Sequence, residues 1–215
     1  MTVRRAVLGL VAVAALIPVA GCTDDPPAQA NGTPSGSSST PAAAATTLPP
    51  MAKPAAPWPT PTVTGAPADD APLADRIRFA IARQAQLAAG TAAPTTVSCP
   101  GLDDLGSGDG ERAFTCKVTY AGTSYDGKLT VDASRYSAKY HFTSDTVLVV
   151  RAKVLDAVVR AAAAPAKVTC TMDDVAVVQY ADPKGIACSV TTTSGAAESW
   201  TVRVSGDGKV TAVKM

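Results

Sequence analysis

Histidine occurs once in 215 residues, aromatic side chains make up only 5%, and neither sign of charge prevails. Each scarcity excludes something. With His141 as the sole imidazole and no Gly-x-Ser-x-Gly elbow, a nucleophile–base set has almost nothing to be built from. The formal charge is +1, and without Arg4 and Arg5 of the first 21 residues it is 17 basic against 18 acidic groups, or −1. A balanced surface offers no basic stripe for nucleic acid and no field to steer a polyanion. No glycine-rich segment carries a phosphate-binding lysine: Gly106–Gly110 lacks one and reads as a loop.

Long apolar runs are also few. The one at the start, Ala6–Ala20, follows Arg4 and Arg5 and is 15 residues long. A bilayer-spanning helix needs about 20, so the segment reads as an export signal. Arg4-Arg5-Ala6-Val7-Leu8 also fits a loose twin-arginine signal. Val19-Ala20-Gly21-Cys22 resembles the bacterial lipobox, where the leader is cut before the cysteine and its sulfur acylated. That resemblance implies residues 1–21 as a lipoprotein signal peptide and Cys22 as the lipidation site, palmitate-type chains holding the protein on the extracytoplasmic face of the cell membrane. Cys22 then accounts for the odd one among five cysteines.

Residues 23–72 hold 12 of the 17 prolines among Ala, Ser, Thr and Gly. So little apolar content predicts a disordered tether over 22–72, with Trp58 as a weak candidate contact anchor. The remainder repeats. Pro94, Val97 and Cys99 return 71 residues later as Pro165, Val168 and Cys170, and Cys116 returns as Cys188. Leu129-Thr130-Val131 returns as Trp200-Thr201-Val202, and Asp103-Asp104 as Asp173-Asp174. A period this long predicts duplicated domains, 73–144 and 145–215.

Each copy is expected to open with a helix. In the first, Pro72 sits in the first turn, Asp69 or Asp70 caps, Gly90 ends it, and Leu73, Ile77, Ala80, Ile81, Gln84 and Ala88 form the inner stripe. The second runs from Thr146 to Ala164, with Val147, Leu148, Val154, Leu155, Val158, Val159 and Ala162 inward and Pro165 as its stop. Alternating segments follow: Phe114, Cys116, Val118, Tyr120; Leu129, Val131, Ala133; Ala138, Tyr140, Phe142; then Ile186, Cys188, Val190; Trp200, Val202, Val204; Val210, Ala212. Period two predicts antiparallel strands, hence an α+β fold of one helix on a four-stranded sheet, twice.

The four remaining cysteines allow three pairings, and the duplication selects Cys99–Cys116 and Cys170–Cys188. An exported chain can form both, and loops this size stabilise by about 3 kcal/mol each on the chain-entropy estimate. Spacings of 17 and 18 do not supply the close cysteine pairs of a zinc site, so neither metal nor cofactor is expected.

Val97-Ser98-Cys99-Pro100 and Phe114-Thr115-Cys116-Lys117-Val118-Thr119, with their echoes at Val168–Cys170 and Cys188–Thr191, resemble a family of small actinobacterial domains of unknown function carried by envelope lipoproteins. The second copy departs at Thr171, where the first has Pro100. The family implies no activity. The Asp pairs are expected to serve turns or caps, and His141 to face outward on its strand. The outward faces carry Thr115, Lys117, Thr119, Lys128 and Thr130, then Ser189, Thr191, Thr201 and Arg203. These observations predict a non-catalytic lipoprotein that binds an envelope component or serves structurally. The alternatives are a carrier of a small hydrophobic ligand and a secreted-enzyme inhibitor. The second rests on a tandem helix-on-sheet plan similar in outline to the β-lactamase inhibitory protein.

Overall fold

The computed structural model describes residues 47–105, 110–134 and 137–215. The leader, Cys22 and the tether up to residue 46 lie outside them, as does most of the Gly106–Gly110 loop. The chain is α+β with antiparallel sheets and two disulfides. Helix α1 (Leu73–Ala89) is followed by β1 (Thr95–Ser98), a 3₁₀ turn (Leu102–Leu105), β2 (Gly110–Tyr120), β3 (Thr123–Ser134) and β4 (Ser137–Thr143). Then come β5 (Thr146–Val150), α2 (Arg151–Ala161), β6 (Pro165–Cys170), β7 (Val175–Gln179), β8 (Ile186–Thr192), β9 (Ala197–Val204) and β10 (Val210–Lys214). One sheet has the order β1-β2-β3-β4 and another β10-β9-β8-β6, while β5 and β7 form a separate ribbon.

The alternating strands fold as their period demands. Cys116, Val118, Tyr120, Leu129 and Val131 are buried inward in the first sheet, with α1 packed over them. Ile186, Cys188, Val190, Trp200, Val202 and Val204 play that part in the second, under α2. Tyr140 departs from the pattern: β4 is an edge strand, and the side chain remains 46% exposed.

The inner stripe of α1 is rotated from the expected one. Ala74, Ile77, Ile81, Ala85, Ala88 and Ala89 are buried, while Gln84 is exposed. Small alanines allow the helix to lie close, and the amide of Gln84 would have had no partner inside. Neither Asp69 nor Asp70 caps the helix. Pro72 stands at the N-cap with no side-chain bond, and Gly90 closes the C-terminus in the left-handed conformation (φ 82°), its N–H donating to the Gln86 carbonyl at 2.9 Å.

The expected helix over Thr146–Ala164 is corrected at both ends. Thr146–Val150 is a strand, and the helix covers only Arg151–Ala161. A short run of β-branched residues has no periodicity that separates helix from buried strand, and here tertiary pairing with Val175–Gln179 decides. Both faces of β5 are covered, as in an internal strand. Leu148 and Val150 join the core under α1, whereas Val147 and Val149 join the core under α2. The ribbon is thus a layer common to both cores, and the described residues belong to one compact unit.

Residues 47–72 also differ from the expected disordered tether. They lie extended against the body as a strap. The Leu48 N–H donates to the Thr193 carbonyl at 2.9 Å and the Met51 N–H to the Pro165 carbonyl at 2.7 Å. Arg160 donates to the carbonyls of Pro54 (3.1 Å) and Ala56, and Trp58 packs against the α1 core. Prolines lower the entropy lost on ordering, so one aromatic and a few backbone bonds suffice to hold the segment.

Candidate functional site

The cystines come first because they set the frame of both sheets. Cys99–Cys116 joins β1 to β2 across a 4.2 Å Cα separation, and Cys170–Cys188 joins β6 to β8 across 4.0 Å. Cys170 and Cys188 stand directly opposite in register. The pairing is the one the duplicated spacing selects.

Each cystine is followed by an acidic pair, and its use is now visible. The Asp103 carboxylate accepts from Arg78 of α1 at 2.6 Å, and Arg78 also reaches Asp75 at 3.0 Å. Arg78 holds the Asp103 carboxyl below its ordinary range, chiefly through that hydrogen bond. Asp174 pairs with Arg151, the first residue of α2, at 3.1 Å, and Arg151 Nε donates to the Met172 carbonyl at 3.0 Å. In both halves an arginine of the helix is tied to the loop behind the cystine. The carboxylates are spent as structural anchors, as the turn reading expected.

His141 is exposed on β4, as its phase predicted. Among the described residues no three His, Cys, Asp or Glu side chains cluster in a way that could hold a metal. The outward residues Thr115, Lys117, Lys128, Ser189 and Arg203 are exposed, while Thr119, Thr130, Thr191 and Thr201 are half-buried.

A cationic node escaped sequence reasoning. Lys153, in the first turn of α2, donates its Nζ to the carbonyls of Ala88 (2.7 Å) and Gly208 (2.8 Å). Ala88 lies in the last turn of α1, whose carbonyls are otherwise unsatisfied and favour a cation. Desolvation lowers the Lys153 pKa from its ordinary value, and Asp207 opposes it. Gly90, beside Ala88, receives the Trp58 indole N–H at 2.8 Å. Strap, both helices and the β9–β10 turn therefore converge on one end of α1. Nothing in the local sequence around Lys153 signals this, because its partners are 65 and 55 positions away.

Two open grooves flank this node. One, of about 530 Å³, runs between α1 and edge strand β4, lined by Arg83, Gln84, Leu87, Tyr140, His141 and Phe142, with Asp207 at its border. The other, of about 610 Å³, runs between α2 and edge strand β10, and Pro57 and Trp58 of the strap form part of its wall. An apolar floor with a few polar groups at the rim suits a bound ligand or segment rather than bond-making chemistry. No family model, curated protein or solved structure matches the chain.

Proposed function

We propose that the chain is a non-catalytic, lipid-anchored protein of the cell envelope, acylated at Cys22 on the extracytoplasmic side, whose folded part binds another envelope component. Its two sheets are read as diverged copies of one unit, of the kind that the resemblance to actinobacterial lipoprotein domains implies. Matching strand order, cystine position and helix-to-loop ion pair support that ancestry. The strand β5 and its partner β7 are where the second copy has diverged.

The observation that carries the functional reading is how the chemically capable groups are used. The repeated aspartates are engaged with arginines, and the lone histidine lies on an exposed edge strand. What the surface presents is two polar sheet faces and two helix–strand grooves. The disulfides fit export to an oxidising compartment.

Placing a photo-reactive residue at Lys117 or at Arg203 of the full-length chain in intact envelope tests the reading. One protein cross-linked at near-stoichiometric yield, and lost when the neighbouring outward residues are reversed in charge, supports it. Adducts with lipid alone would replace it by the carrier reading. Near-stoichiometric suppression of a hydrolase would replace it by the inhibitor. Separately, Cys22→Ala should move the chain from the membrane fraction to the soluble one, and retention in membranes would overturn the anchor.

A further inference from the structure

The two helix–strand grooves are built from equivalent positions. Arg83, Gln84 and Leu87 of α1 stand 73 residues before Asp156, Ala157 and Arg160 of α2, and Tyr140 and Phe142 of β4 stand 70 before Val210 and Ala212 of β10. They differ in what borders them. The second groove is walled by the chain's own proline-rich strap, whose carbonyls at Pro54 and Ala56 accept from Arg160. The first groove has no strap at its edge among the described residues and keeps Tyr140 exposed.

We propose that the groove between α1 and β4 receives an extended proline-rich segment of a partner protein, held in the way the second half holds its own strap. The inference rests on the reading of the chain as a binding protein and names the chemistry of the partner. A proline-rich segment in the extended helix makes no internal hydrogen bonds and presents rings and bare carbonyls along its length. Grooves that bind such segments combine aromatic surface with donors spaced along the rim. Tyr140 and Phe142 supply the aromatic surface, with Leu87 opposite on the helix. Arg83 and Gln84 supply donors in the row where Arg160 serves the strap. Because β4 ends its sheet, its outer backbone edge is also free to pair with an extended guest.

The probe is a synthetic peptide with the strap's own sequence, residues 50–61 (PMAKPAAPWPTP), titrated into the isotope-labelled mature chain in detergent micelles. Saturable shifts in the amides of Arg83, Leu87, Tyr140 and His141 are expected. Arg83→Glu and Leu87→Glu should each weaken binding at least about tenfold while leaving the remaining spectrum of the fold unchanged. Shifts confined to the α2–β10 groove and the strap would mean that the peptide only exchanges with its own copy, which overturns the proposal. No shift at millimolar peptide would overturn it as well. Concentration-dependent shifts at Tyr140 without peptide would overturn it in favour of a second copy as the occupant. If the peptide fails while photo-cross-linking at Lys117 or Arg203 still finds a protein partner, the binding reading stands and only the groove assignment falls.

Discussion

Lys153 Nζ lies 2.7 Å from the carbonyl oxygen of Ala88, across 65 positions of sequence, and so joins the start of α2 to the end of α1. The same amine reaches the Gly208 carbonyl at 2.8 Å. Gly208 has φ 81°, and a β-carbon there would collide with the Ala88 backbone, so the turn can approach α1 only as glycine. Replacing Lys153 with Met keeps the stem and leaves both carbonyls short of a donor. The expected cost is about 1–3 kcal/mol, read as a lowered denaturation midpoint with an unchanged slope. An unchanged midpoint would show that water replaces the amine.

Trp58 anchors the strap by its indole N–H on Gly90 and by packing on the α1 core. Trp58→Ala removes both, at about 2 kcal/mol. Limited proteolysis should then cut between residues 47 and 62 well before the remaining body is attacked. Equal resistance of wild type and variant would mean that the carbonyl contacts of Arg160 hold the strap by themselves.

Tyr125 packs edge-on to Phe142, with ring centroids 6.5 Å apart, and burial pushes its pKa up to about 12 from 10.0. The folded state therefore keeps this proton more tightly than the unfolded chain does. Stability is fully present below pH 10 and declines as pH rises towards 12. Denaturation midpoints measured across that window should fall, and Tyr125→Phe should flatten part of the decline. An identical slope in the variant would assign the alkaline loss to other groups.

The β2–β3 hairpin turns through Ala121 and Gly122, both at positive φ, 46° and 85°. A two-residue turn of this hand favours Asn-Gly, since alanine is strained in the left-handed region. Ala121→Asn should stabilise by about 1 kcal/mol, with the sheet's amide spectrum unchanged away from the turn. A destabilised variant would show that the Ala121 N–H bond to the Pro94 carbonyl (3.0 Å) is disturbed by the larger side chain.

Much of the α+β plan was legible. Alternation marked the strands that carry Cys116, Leu129, Cys188 and Val202, because a sheet covered on one side imposes period two on its residues. The cysteine spacing with the repeat gave both cystines, and Gly90 gave the end of α1. Thr146–Val150 was misread because an apolar run buried on both faces has no polar side to betray its period. The strap was misread because composition measures how little apolar surface a segment can bury, whereas Trp58 and the acceptor carbonyls need only a prepared place to land.

The candidate grooves divide along the same line. Sequence alone determined which residues alternate, which cysteines correspond and that the aspartates recur, since these depend on local geometry and on copying. Only the tertiary structure decided that Asp103 and Asp174 each tie down a helix, that Lys153 closes on Ala88, and that Leu87 and Tyr140 face one groove. Those relations join positions far apart in the chain, and their energies depend on burial and distance, which exist only once the sheets and helices have packed.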